Sequence, residues 1–126
     1  MTKNYNLSEQ IILQCKKKLL SVKADLLNRS NELAKNFTQI DKGSGDEIDQ
    51  SSAHQEEHSF LINQSRIKNQ LFEIEQALSR IEKNTFGVCE ETQEPIEEPR
   101  LIAIPWTRLS IEGAEIREYA QKKYAR

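Results

Sequence analysis

Three groups of residues in this sequence have types and spacings that can do chemistry. Asp46 and Asp49 follow directly on Gly43-Ser44-Gly45. At the start of a helix, that spacing puts both carboxylates on one side of the first turn, where they can bind magnesium or present a paired negative charge. The plainer reading is capping: carboxylates there satisfy free N–H groups and offset the positive dipole end, worth ~0.5–2 kcal/mol. Ser44 can cap the helix equally well. His54 and His58 stand at i, i+4, a spacing that can clamp a metal, but Gln55 occupies the place where the zinc-protease signature carries its glutamate. Without that base, the pair reads as a solvated helix face. Cys15 and Cys89 are the only two cysteines, too few for a disulfide framework or a four-thiolate zinc site.

The elements that position these groups follow from periodicity. Asn6 with Glu9 has the form of a capping box, so a helix is expected from about Leu7. Apolar residues recur every seven positions at Ile12, Leu19, Leu26, Leu33 and Ile40, flanked by Leu13, Leu20, Leu27 and Ala34. Cys15 and Val22 fill the intermediate heptad position, whereas Arg29 and Asn36 hold it nearer the glycines, which predicts looser packing there. A second helix begins near Asp46, with the seam Phe60, Gln64, Ile67, Leu71, Ile74, Leu78, Ile81. Two seams joined by a short Gly-containing turn give an antiparallel hairpin. A three-helix bundle or a homodimeric coiled coil can use the same stripes, but the short turn holds the two faces together at high effective concentration.

After Asn84 the pattern changes. Thr85-Phe86-Gly87-Val88-Cys89, Pro95-Ile96 and Arg100-Leu101-Ile102-Ala103-Ile104-Pro105 are short, β-prone and punctuated by Gly and Pro, which predicts a small β-hairpin. Glu90, Glu91, Glu94, Glu97 and Glu98 are expected to be solvated in its loop. Ser110 or Thr107 caps a last helix running to about Tyr124, whose basic end suits the negative pole of the dipole. The expected fold is mainly α: a long antiparallel two-helix coiled-coil hairpin over residues 1–84, with its tip at 41–49, and a small module over 85–126.

Composition excludes several functions. The chain has 126 residues, 37% hydrophobic and 30% charged, with four Gly and three Pro, a balance that favours long solvated helices. Its net charge of −2 provides no basic excess for neutralising phosphates, so direct DNA binding is not expected. No apolar run approaches the ~20 residues of a membrane span, and residues 1–5 lack the apolar core of a signal peptide. A cytosolic protein is expected.

The segment Arg80-Ile81-Glu82-Lys83-Asn84-Thr85-Phe86-Gly87-Val88-Cys89-Glu90, with Glu94-Pro95-Ile96, Arg100-Leu101 and Ala103-Ile104-Pro105, closely resembles the C-terminal zinc-finger module of the DksA/TraR family. These are bacterial regulators that bind RNA polymerase. A coiled-coil hairpin with Asp-x-x-Asp at its tip, here Asp46 and Asp49, is similar to the DksA arrangement. The resemblance implies a hairpin that enters the polymerase secondary channel, tip aspartates acting near the catalytic centre, and no enzymatic activity. It also implies a monomer with RNA polymerase as partner. Where the DksA motif places Ala after the second Asp, this chain has Ser51.

The resemblance also locates what has changed. The four zinc-ligand positions of the family correspond to Cys89, Thr92, Ser110 and Gly113. One thiolate, two hydroxyls and a glycine cannot assemble a tetrahedral structural site, so a degenerate, zinc-free finger held by packing and without a cofactor is expected. Cys89, next to Glu90 and Glu91, is expected to resist deprotonation. The basic side chains that complete a guanosine tetraphosphate site in DksA-type proteins correspond to Glu73, Ile104 and Ala114, so the alarmone response is expected to be weak. A different class of reading keeps the scaffold and changes the partner: a coiled-coil adaptor that binds another protein.

Overall fold

Ser8 caps the first helix by accepting the N–H of Ile11 on its Oγ at 3.1 Å. The cap expected at Asn6 falls outside the described residues; the computed structural model describes residues 7–43 and 50–124. Four helices follow in order: α1 (Glu9–Gly43), α2 (Gln50–Glu82), α3 (Glu98–Ala103) and α4 (Ile111–Tyr124). Neither α1 nor α2 contains an internal Pro or Gly, so nothing interrupts their backbone ladders. Among the described residues, no helix is long and apolar enough to cross a membrane.

The chain forms two compact units, Ser21–Phe72 and Met1–Leu20 with Glu73–Arg126. In the first unit α1 and α2 run antiparallel. Leu26 and Ile67 are buried, and further along the pairing Phe37 stacks on Phe60 with ring centroids 4.3 Å apart. Gln64 is the one polar member of the seam, and it is satisfied. Its Nε2 donates to the Ser30 carbonyl at 3.1 Å, while its Oε1 accepts from Ser30 Oγ at 2.8 Å. A slip of register would strand both groups against apolar neighbours, so the pair favours one alignment of the helices.

In the second unit, Cys15 and Leu19 of α1 and Ile74 and Ala77 of α2 are buried. The apolar stripe is narrower than the sequence pattern: Leu13, Leu20 and Leu27, the flanking row, are about half exposed, at 53%, 47% and 45%. A two-helix contact covers only the a/d seam, and the neighbouring row faces water. α2 ends in a Schellman arrangement. Asn84 adopts a left-handed φ of 61°, its N–H reaches Ile81 O at 3.3 Å, and the N–H of Thr85 reaches Arg80 O at 2.9 Å.

Beyond Asn84, Cys15, Phe86, Cys89, Ile96 and Leu101 form one buried cluster, with Leu7, Ile11, Ile12, Ile81 and Leu109 packed against it. Gly87 has a φ of 90°, a left-handed backbone that favours glycine, and a Cβ built there would sit 2.6 Å from Leu7 Cδ1 and push that methyl aside. The expected β-hairpin is reduced to a single antiparallel bridge, Val88 with Pro95. Its second arm is instead helical as α3, because Pro99 fixes a helical φ in the first turn. That turn buries Leu101, and Lys18 Nζ donates to the exposed end carbonyls of Ile102 and Ala103 at 3.4 and 2.9 Å.

Adjacent leucines test this register. Leu19, 0% exposed, is expected to cost about 2–5 kcal/mol on substitution by Ala. Leu20→Ala is expected to cost about 0.5 kcal/mol or less. Urea unfolding followed by circular dichroism compares them, and equal losses would contradict the assigned seam.

Candidate functional site

Asp46 and Asp49 lie outside the described residues, and Ser51 is the second residue of α2 with its side chain outside them. What is described is their setting in the chain: the segment joins α1 and α2, which pair antiparallel on either side of it. On α2, the residues lining the groove toward α1 include Ser52, Gln55, Glu56, Ser59 and Phe60. His54 and His58 fall on the opposite face and are exposed. Among the described residues, no three His, Cys, Asp or Glu side chains converge as a metal site.

The four finger positions converge in the second unit. Ser110 caps α4: its Oγ accepts the N–H of Gly113 at 3.0 Å, and its carbonyl accepts that of Ala114 at 2.8 Å. Thr92 closes the opposite turn, its Oγ1 accepting the N–H of Glu94 at 3.2 Å. Accepting in this way leaves each hydroxyl a proton to give, and Cys89 lies within their influence. Cys89 is fully buried. Burial pushes its thiol up, but hydrogen bonds from the side chains and backbone of Ser110 and Thr92 outweigh burial and bring it to about 7. The expectation that Cys89 resists deprotonation is therefore corrected. The glutamates beside it do not set its acidity, because their charge is directed elsewhere.

Glu90 and Glu91 point at arginines. Arg108 Nη1 donates to Glu90 Oε2 at 3.0 Å, and its Nε donates to Glu73 Oε1 at 2.7 Å. Arg117 Nε donates to Glu91 Oε1 at 2.9 Å, and its Nη2 lies 3.5 Å from Glu90 Oε1. The loop carrying Arg108 is fixed by further backbone contacts. Arg80 Nη2 donates to the carbonyls of Trp106 and Thr107 at 3.3 and 3.4 Å, and Arg100 Nε to that of Leu109 at 2.8 Å. Two of the five glutamates expected to be solvated are thus engaged, and Glu97 accepts the N–H of Ile111 at 3.2 Å. Sequence reading missed Arg80, Arg108 and Arg117. Only an excess of acidic residues in one loop with arginines on the flanking segments hinted at them.

With this geometry in view, the kinship is plain. Residues 84–119 match the family described as the prokaryotic dksA/traR C4-type zinc finger. The chain is 38% identical over 112 residues to an uncharacterised protein of Aquifex aeolicus, covering 86% of this chain and 77% of that one. It is 33% identical over 107 residues to the RNA polymerase-binding transcription factor DksA of Caulobacter vibrioides, covering 85% and 75%. Among solved structures, the transcription factor DksA2 of Pseudomonas aeruginosa superposes with a TM-score of 0.83 at 28% identity, over 91% of this chain and 88% of that one. The chain belongs to the DksA/TraR family.

A C4 finger implies zinc, and the residues present do not fit it. Of the four family positions only Cys89 supplies a thiolate, and neutral hydroxyls are poor zinc ligands. Packing points the same way: a Cβ built on Gly113 would overlap Cys89 Sγ, so α4 lies against the sulfur, and a side chain there would require the sulfur to shift.

Cys15, whose thiol burial pushes up against an opposing effect of Lys18, and Cys89 are both free and buried. A water-soluble disulfide reagent is expected to react with both slowly in the native protein, at the pace of local opening, and at once in denaturant. Immediate release of two equivalents from native protein would contradict this burial.

Proposed function

We propose that this chain is a transcription regulator that binds RNA polymerase through the polymerase's secondary channel, where Asp46 and Asp49 act near the catalytic centre and alter the lifetime of promoter complexes. The observation that carries this reading is the alignment, over most of both chains, with a protein named as an RNA polymerase-binding transcription factor. The superposition on DksA2 supports it. Two paired helices measure ~20 Å across, narrow enough to enter a channel, and the Gly43–Asp49 segment is what they would carry in.

The role assigned to the aspartates is electrostatic. In this reading the chain acts on the polymerase's chemistry and catalyses none itself. The protein works as a monomer in the cytosol, without direct contact to DNA. Its response to guanosine tetraphosphate is weak. Of the three positions aligned with basic residues of an alarmone site, Ile104 and Ala114 offer no charge, and Glu73 is a carboxylate already committed to Arg108.

Copurification with core RNA polymerase, followed by promoter-complex lifetimes, tests the reading. The native chain is expected to bind and change the lifetime, and Asp49→Lys to bind equally while losing most of the effect. Failure to bind would return the chain to the adaptor reading. Binding with an effect unchanged by Asp49→Lys would remove the aspartates from the mechanism.

A further inference from the structure

The finger consists of two half-sites, Cys89–Thr92 and Ser110–Gly113, which four thiolates around one metal would otherwise tie together. In this chain the tie has a different chemistry. Glu90 and Glu91 lie inside the first half-site, immediately after the remaining cysteine. Arg108 lies two residues before the second half-site and Arg117 one turn of α4 beyond it. Arg108 reaches Glu90 at 3.0 Å, and Arg117 reaches Glu90 at 3.5 Å and Glu91 at 2.9 Å. The backbone joins the same two segments, Glu90 N–H to Arg108 O at 2.9 Å. Glu73 anchors Arg108 from α2 at 2.7 Å, so the arginine is fixed from two sides.

Beneath these pairs the Cys89 sulfur fills the centre. It is fully buried, and a Cβ on Gly113 would overlap it unless the sulfur shifted. The site has closed onto its own sulfur.

We propose that an ion-pair clamp, Arg108 and Arg117 on Glu90 and Glu91, replaces the metal as the tie between the two half-sites, closing over the Cys89 sulfur against Gly113. A single exposed ion pair contributes little, but here three pairs share carboxylates and span one closure, so they act as a network. The side chains are 28–42% exposed, which leaves the clamp open to screening by salt. Closure of this module therefore answers to ionic strength and not to metal supply.

The test uses the full-length protein, with the single tryptophan, Trp106, as reporter of the module. Thermal unfolding is followed by its fluorescence in 50 mM and 500 mM KCl, with and without EDTA or added zinc. The native midpoint is expected to fall by about 2–4 °C at high salt and to be unmoved by EDTA or zinc. Arg117→Gln is expected to lower the low-salt midpoint and flatten the salt dependence. The swapped pair Arg117→Glu with Glu91→Arg is expected to recover part of both, a rescue that lost packing alone would not give.

The triple variant Thr92→Cys, Ser110→Cys, Gly113→Cys tests the closed centre. It is expected to be destabilised and to gain no midpoint from zinc. A native midpoint lowered by EDTA, an Arg117→Gln variant with the native salt dependence, or a triple variant stabilised by zinc would each overturn the proposal.

Discussion

One buried cluster, Cys15, Phe86, Cys89, Ile96 and Leu101, holds the second unit together. It draws on α1, on the turn after α2, on the loop and on α3, so removing any one element exposes the apolar faces of the others. The constraint is one of size. A module of this length has too little interior to fold by burial alone, and small domains of this kind usually depend on a metal or disulfides. Here the feet of the two long helices provide the missing interior. Ile11, Ile12 and Ile81 pack against the cluster, and Lys18 and Arg80 cap the carbonyls of the segments that surround it.

With that core in place, the polar groups around Cys89 have little freedom. Ser110 must cap α4 and Thr92 must close its turn, so both hydroxyls are held at the sulfur by backbone they already serve. Gly113 admits the close approach of α4. The residues at the family's zinc-ligand positions thus serve as a helix cap, a turn closure and a close approach to the Cys89 sulfur, with arginine-carboxylate pairs joining the segments that carry them.

The helices were legible in the sequence because helix burial is periodic and local. Ile67, Ile74, Leu19 and Leu26 could be placed in a seam from spacing alone, and each is buried. Which of two adjacent rows faces the partner depends on how wide that partner is. Leu13, Leu20 and Leu27 were therefore counted in the stripe although they face outward. α3 is hidden in the sequence because Leu101, Ile102 and Ile104 have the apolar density of a strand, while the signal for a helix is the single Pro99 in its first turn. The convergence of Cys89, Thr92, Ser110 and Gly113 was visible only through family resemblance. The pairing of Arg108 and Arg117 with Glu90 and Glu91 is non-local, and no single-sequence pattern encodes it. The finger segment was the more specific signal in the sequence; the Asp46 and Asp49 pair, which means little by itself, lies outside the described residues.

Closure of the finger without metal is tested most directly by the mass of the intact protein. Native mass spectrometry of the full-length chain, produced in zinc-supplemented medium and purified without chelator, is expected to give the mass of the bare polypeptide. A species heavier by one zinc ion, present at full occupancy and lost when Cys89 is replaced by Ala, would contradict it.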